Sequence, residues 1–334
     1  MPSAPVLEVR GLTVEYLTSA GPVRAVEDFD LDVHAGEFVG VVGESGCGKS
    51  TMLFGIAQLL SPPAEISAGS VHFRGRDLVT MTARELAATR WRDLSVVMQS
   101  AMNALNPVAQ LGDQFADAMR AHGERSKQVI RERSEEVLAL VGIDTVHLKS
   151  YPHQLSGGMR QRAMIAMALL FSPDLVIMDE PTSALDVVAQ RALMVQIKEL
   201  QRKLGFAVIF VTHDMSLVSH FSDQLLVMYA GEVVEDGPTR TVFDSPAHPY
   251  SRGLLDAFPS IHGPRVPLTG IPGSPPDLAQ LPPGCRFQPR CPVAFDDCSR
   301  TRPELYQVGP ARSRCLLNSP AHATTVKASE EVNR

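Results

Sequence analysis

The segment that most limits what this chain can fold into is Gly43-Glu44-Ser45-Gly46-Cys47-Gly48-Lys49-Ser50-Thr51, which directly follows the apolar run Phe38–Val42. It contains G-x-x-x-x-G-K-S and leads into an apolar stretch with helical character. A strand, a glycine-rich loop and a helix in that order curl backbone N–H groups around phosphate oxygens. Gly43, Gly46 and Gly48 permit the close approach, Lys49 brings charge to the β and γ phosphates, and Ser50 offers a hydroxyl to Mg2+. Ser45, Cys47 and Thr51 complete the cradle, with Cys47 read as a small tolerated residue rather than a redox sensor.

Three further apolar runs resemble the first: residues 95–98, 175–178 and Ala207–Val211. Runs apolar on both alternations suit strands covered on both faces, hence a parallel sheet flanked by helices. Ligands collect at the carboxyl ends of such strands, so chemistry is expected in the residues just after each run. The run at 175–178 ends in Asp179-Glu180, where Asp179 is expected to hold Mg2+ and Glu180 to polarise the attacking water. His213 closes the run at 207–211, placed to contact a γ-phosphate and its water, and Gln99 closes the run at 95–98, able to ligate Mg2+ or position water. Near the N-terminus, residues 7–9, 12–16 and 29–33 alternate and suggest antiparallel pairs, whereas residues 84–170 carry more helical signals.

The 334 residues carry 31 Lys+Arg against 37 Asp+Glu, a net charge of −6, which argues against a bulk grip on nucleic acid or on an anionic membrane surface. The longest apolar stretch, 163–178, is cut by Ser172-Pro173-Asp174, short of the roughly 20 residues a bilayer crossing takes. Met1-Pro2-Ser3-Ala4-Pro5 has no positive region followed by an apolar core, so no secretory signal is expected, a reducing cytoplasm is expected and the five cysteines are poor disulfide candidates.

Leu155-Ser156-Gly157-Gly158-Met159 adds a second phosphate-seeking helix N-terminus ahead of an apolar helix. One nucleotide has no need of two cradles, so Ser156, Gly157 and Gly158 are expected to serve the nucleotide of a second subunit, in a head-to-tail pair.

The phosphate loop, Gln99, the 155–159 segment, the carboxylate strand, Ser183-Ala184-Leu185-Asp186 and His213 stand in an order that resembles the ATP-binding cassette family over residues 6 to about 240. The resemblance implies an α/β fold: a RecA-like parallel-sheet core, an antiparallel β subdomain and a helical signature subdomain at about 90–170. It also implies an ATPase using ATP and Mg2+, with Tyr16 stacked on the adenine and Asp186 among the nucleotide contacts. Met159 replaces the family's usual glutamine and looks like the peptide-importer branch.

Composition changes near residue 238: of 25 prolines, sixteen lie from Pro238 onward. Residues 1–240 are therefore read as a packed ATPase domain, 241–318 as a loop-rich extension, and 319–334 as a disordered tail. His248-Pro249-Tyr250-Ser251, 271–276, and Gly284-Cys285 with Arg290-Cys291-Pro292 resemble the carboxyl-terminal region of oligopeptide and dipeptide importer ATPases. Residues 103–107 resemble that branch too, although Ser100-Ala101 stand where it usually reads Asp-Pro, at the contact with the membrane subunit.

Cys285, Cys291, Cys298 and Cys315 fall within 31 residues, in a segment with six arginines against three acids. A metal centre organising a domain too small for its own core is one reading, and the arginine surplus would offset anionic thiolates. The spacing lacks zinc knuckles. The family resemblance implies an iron-sulfur cluster of the four-iron type, with zinc and unliganded thiols as alternatives.

The expected protein is thus a peripheral ATPase on the cytoplasmic face of the cell membrane. Its expected partners are a second ATPase subunit, identical or paralogous, two transmembrane permease subunits, and indirectly an extracytoplasmic peptide-binding protein, with no nucleic acid. A soluble cassette ATPase of DNA repair or translation, or an importer of metal chelates such as nickel complexes, are the rival readings.

Overall fold

The computed structural model describes residues 4–99, 104–183, 185–257 and 270–321. Ser100, Ala101, Asn103 and Ala184, and the tail beyond residue 321, lie outside the described residues. The strands are β1 (Leu7–Thr18), β2 (Gly21–Val33), β3 (Phe38–Val42), β4 (Ala64–Phe73), β5 (Arg76–Asp77), β6 (Leu94–Val97), β7 (Leu175–Asp179), β8 (Ala207–Val211), β9 (Gln224–Tyr229), β10 (Glu232–Pro238), β11 (Tyr306–Val308) and β12 (Ala311–Ser313). They form an antiparallel sheet, β2-β1-β4-β5, and a mixed sheet, β11-β12-β10-β9-β3-β8-β7-β6.

The four runs that are apolar on both alternations become β3, β6, β7 and β8, all mutually parallel. β9 also joins β3 in parallel, a strand that carries no motif in the sequence. Alternation then divides the core. Val39 and Val41, with Ile209 and Val211, face the antiparallel sheet and the helix Lys49–Ile56. Phe38, Val42, Val208 and Phe210 face the helical side, with Leu193, Ile197 and the helices at 111–168. Burying the strands on both faces brings the ends of β3, β6, β7 and β8 together at one edge, where their outgoing loops meet.

The carboxyl-terminal residues do not form a separate layer. β12 pairs antiparallel with β10, and β11 with β12, so the extension lengthens the main sheet. Tyr250, Phe287 and Tyr229 pack ring against ring, with centroids 4.6–5.4 Å apart. Arg286 pairs with Glu27 and Glu232, Arg302 with the same two carboxylates, Arg312 with Asp236, and Arg290 with Glu44. These four arginines of the extension therefore neutralise cassette carboxylates.

That arrangement corrects the iron-sulfur expectation. Cys285, Cys291, Cys298 and Cys315 border a crevice of about 10 Å3, room for a single water at most. All are free thiols, and among the described residues no three His, Cys, Asp or Glu side chains are grouped to hold a metal ion. Burial raises the thiol of Cys285 to about 12 and that of Cys315 to about 11, which keeps both protonated at neutral pH. The core that a metal was expected to replace is supplied by the aromatic cluster, the strand pairing and the arginine-carboxylate pairs.

His248 sits within this docking surface, 2% exposed, with Nδ1 accepting the Tyr250 backbone N–H at 3.0 Å. Burial holds its pKa down at about 3. Below the ordinary imidazole value of about 6.5 the unfolded chain takes up a proton that the folded chain refuses. Stability conferred by the neutral ring is thus present above pH 6.5 and lost as pH falls, at up to about 1.4 kcal/mol per unit. Urea midpoints measured at pH 6.5 and 4.5 are expected to fall less for His248→Asn than for the wild type; an equal fall would contradict the buried neutral imidazole.

Candidate active site

The loop at 43–51 runs from the end of β3 into the helix Lys49–Ile56, and its shape depends on two glycines with no room for a side chain. A Cβ on Gly43 would lie 2.2 Å from the Met228 carbonyl oxygen, and one on Gly48 would lie 2.2 Å from that of Ala25. Gly48 also has φ of 103°. Lys49 is 7% exposed and folds back over the loop, its Nζ donating to the carbonyls of Gly43 and Glu44 at 2.8 Å each. Cys47 is buried beneath it, and burial pushes its thiol pKa up, in keeping with a packing role.

The neighbouring strands deliver polar groups to this loop. Asp179, at the end of β7, is 3% exposed beside the Ser50 side chain, and its Oδ1 has no hydrogen-bond partner. Burial raises its pKa. A buried acidic oxygen left open beside a serine hydroxyl fits a divalent cation. Glu180 comes next, in the left-handed region with φ 44°, held by its N–H donating to the Val211 carbonyl at 2.9 Å. Its Oε2 accepts from Gln99 Nε2 at 2.8 Å, and its Oε1 lies 3.3 Å from His213 Nδ1. Three strand ends thus bring Gln99, Glu180 and His213 into one cluster.

Gln99 and Glu180 of this cluster, the loop and Tyr16 border a cleft of about 390 Å3, within the size range of ligand sites, while His213 reaches it only through Glu180. The Tyr16 hydroxyl is 3.1 Å from Thr51 Oγ1, and Ser45, Gly46, Gly48 and Ser50 line the floor. Leu278, from the extension, forms part of the wall. Sequence reasoning missed Leu278, and no local signal marks it, since only the docking of the extension brings it there.

Ser156 and Asp186 lie elsewhere. Each caps a helix: Ser156 Oγ accepts the Met159 N–H at 3.2 Å, and Asp186 Oδ1 accepts the Ala189 N–H at 2.9 Å. Gly157 begins the helix Gly157–Ala168, Ser156 is exposed, and a Cβ on Gly158 would meet open space. None of these four residues lines the cleft of this chain.

Residues 26–183 match the family described as ABC transporter, and residues 234–298 match the family described as oligopeptide/dipeptide transporter, C-terminal region. The oligopeptide transport ATP-binding protein OppD of Salmonella typhimurium is 44% identical over 95% of this chain and 94% of its own length. The chain belongs to the ATP-binding subunits of the oligopeptide/dipeptide branch of ABC transporters. The dipeptide transport ATP-binding protein DppD of Bacillus subtilis is 44% identical over 89% of this chain and 90% of its own. Among solved structures, the dimeric ABC transporter cassette MJ0796 aligns with a TM-score of 0.63 and 29% identity, covering 70% of this chain and 99% of that one. The expected cassette fold is therefore correct, and the chain is an ATP-binding, ATP-hydrolysing ABC subunit. The match across both the cassette and the extension sets aside the DNA-repair and translation reading.

Proposed function

We propose that this chain uses ATP hydrolysis to energise the import of dipeptides or oligopeptides through membrane-spanning partner subunits, as a peripheral subunit on the cytoplasmic face. Among the described residues no helix is long and apolar enough to cross a membrane, so the path for cargo is assigned to partners. The observation that carries the chemistry is the meeting of Gln99 and His213 on Glu180 beside the phosphate loop.

In this reading the loop's amides and Lys49 hold the phosphates of ATP, and Tyr16 meets the adenine. Ser50, Asp179 and Gln99 are the residues that would hold Mg2+, which neutralises charge on the β and γ phosphates. Glu180 polarises the attacking water, and His213 and Gln99 orient the carboxylate and the γ-phosphate. The 1–240 and 241–318 division is retained as cassette and extension, although both contribute to one sheet.

Ser156, which is exposed, and the half-buried Gly157 and Gly158, none of which lines the chain's own cleft, are assigned to the nucleotide on a second cassette, with Asp186 beside them at that interface. Closure of the two cassettes around ATP and reopening after hydrolysis would then drive the permease subunits. Gly157→Asp tests this pairing. An acidic side chain at a helix N-terminus suits the helix but repels a partner's phosphates. The isolated variant is expected to bind ATP like the wild type, while ATPase activity of the assembled transporter falls at least about 10-fold. Equal loss of both would contradict the two-subunit assignment.

A further inference from the structure

Glu44 occupies the first variable position of the phosphate loop, and its contacts join that loop both to itself and to distant parts of the chain. Its carboxylate takes both prongs of the Arg290 guanidinium, at 2.7 and 2.9 Å. Its backbone N–H donates to the Tyr250 hydroxyl at 3.0 Å. Its carbonyl is one of the two oxygens that Lys49 Nζ grips. Arg290 and Tyr250 belong to the extension, 246 and 206 residues further along the chain.

Both partners are immobilised. Tyr250 is fully buried, and its ring lies among Tyr229, Phe287 and the docked extension. The Arg290 side chain is 5% exposed, and its remaining donors are used: Nε on the Pro272 carbonyl at 2.8 Å, Nη2 on Gly273 at 3.3 Å, and Nη1 on the Tyr229 hydroxyl at 3.3 Å. A planar fork fixed on five acceptors sets the place of a carboxylate more tightly than a flexible ammonium would. The hydrogen bonds to Glu44 push the Arg290 pKa up further, so the charge is permanent.

We propose that Arg290 and Tyr250 are positioning residues of the phosphate loop, by which the extension sets the loop's affinity for ATP through Glu44. Moving Glu44 moves the carbonyl that holds Lys49, one bond away from the phosphate contacts. Leu278 at the wall of the same cleft ties a third point of the extension to the site. The inference rests on the assignment of residues 43–51 to the phosphates of ATP.

The test is ATP titration of the full-length chain with a fluorescent ATP analogue, alongside its melting temperature. Arg290→Met is expected to weaken ATP at least about 10-fold, and Arg290→Lys to recover only part of that loss, because a single ammonium cannot take both carboxylate oxygens. Glu44→Ala combined with Arg290→Met should bind no more weakly than either single variant, since both remove one interaction. Tyr250→Phe keeps the buried ring and should weaken ATP at least about threefold, which preserves the test if Arg290→Met fails to fold. ATP affinities of Arg290→Met and Tyr250→Phe within twofold of wild type, with only the melting temperature lowered, would show a docking role alone and overturn the inference. Losses that multiply in the double variant would overturn it as well. Lys49→Ala separates the two levels: if that variant binds ATP like wild type, the phosphate-loop reading itself fails. If Lys49→Ala loses binding while Arg290→Met keeps it, only the inference fails.

Discussion

Replacing Glu180 with glutamine is expected to leave ATP bound and to cut turnover of the assembled transporter by about 10²-fold or more. The amide keeps the shape of the side chain and an acceptor for Gln99 Nε2, which lies 2.8 Å from Oε2. It removes the negative charge to which the polarising of water is assigned and which faces His213 at 3.3 Å. The left-handed backbone at Glu180, φ 44°, is held by the hydrogen bond to Val211, and such strain at a strand end is tolerated where it aims a side chain. Binding survives because the groups assigned to the phosphates, Lys49 and the loop amides, are untouched. Turnover within about threefold of wild type would remove Glu180 from the role assigned to it.

Gly48→Ala is expected to weaken ATP binding by about 10²-fold, the scale of loss that a displacement near 1 Å can cause. The added methyl would stand 2.2 Å from the Ala25 carbonyl oxygen, a backbone atom of β2 that cannot swing aside. The loop would have to shift instead. Gly46→Ala is the comparison: its φ is also positive, 78°, but no protein atom lies within 4 Å of the new Cβ, so the loop is not forced to shift and the cost within the protein is conformational strain of about 1–2 kcal/mol. ATP titrations of both variants, with circular dichroism to show that each is folded, decide the point. Gly48→Ala binding ATP as well as the wild type would contradict the cradle geometry.

What could be seen in the sequence was what local chemistry dictates. Residues 38–42 and 207–211 read as doubly covered strands because every position in them is apolar, and the parallel register of β7 with β8 then places Asp179 opposite Val211, two residues before His213. The alternating segments near the N-terminus became the antiparallel β1 and β2 because only one face of each is buried. β9 was equally apolar over 225–228 but carried no motif after it, so nothing drew attention to it.

The extension was harder to read because its stabilising contacts are distant in sequence. Arg302 meets Glu27 across 275 residues, and Arg290 meets Glu44 across 246. A surplus of arginine within residues 285–315 looked like compensation for something anionic, and it is, but the anions are cassette carboxylates. Four neighbouring cysteines suggested a shared ligand, whereas burial and a crevice of about 10 Å3 leave them as packed thiols. Ser156 illustrates a different limit: its helix cap can be read locally, but its assigned ligand belongs to another subunit.

The most direct measurement is uptake of a labelled peptide into vesicles containing the assembled transporter, with ATP on the side that carries this chain. The account predicts ATP-dependent accumulation that stops when Glu180→Gln replaces the wild-type chain and with it the hydrolysis it supplies. Accumulation that continues at the wild-type rate with Glu180→Gln would contradict it.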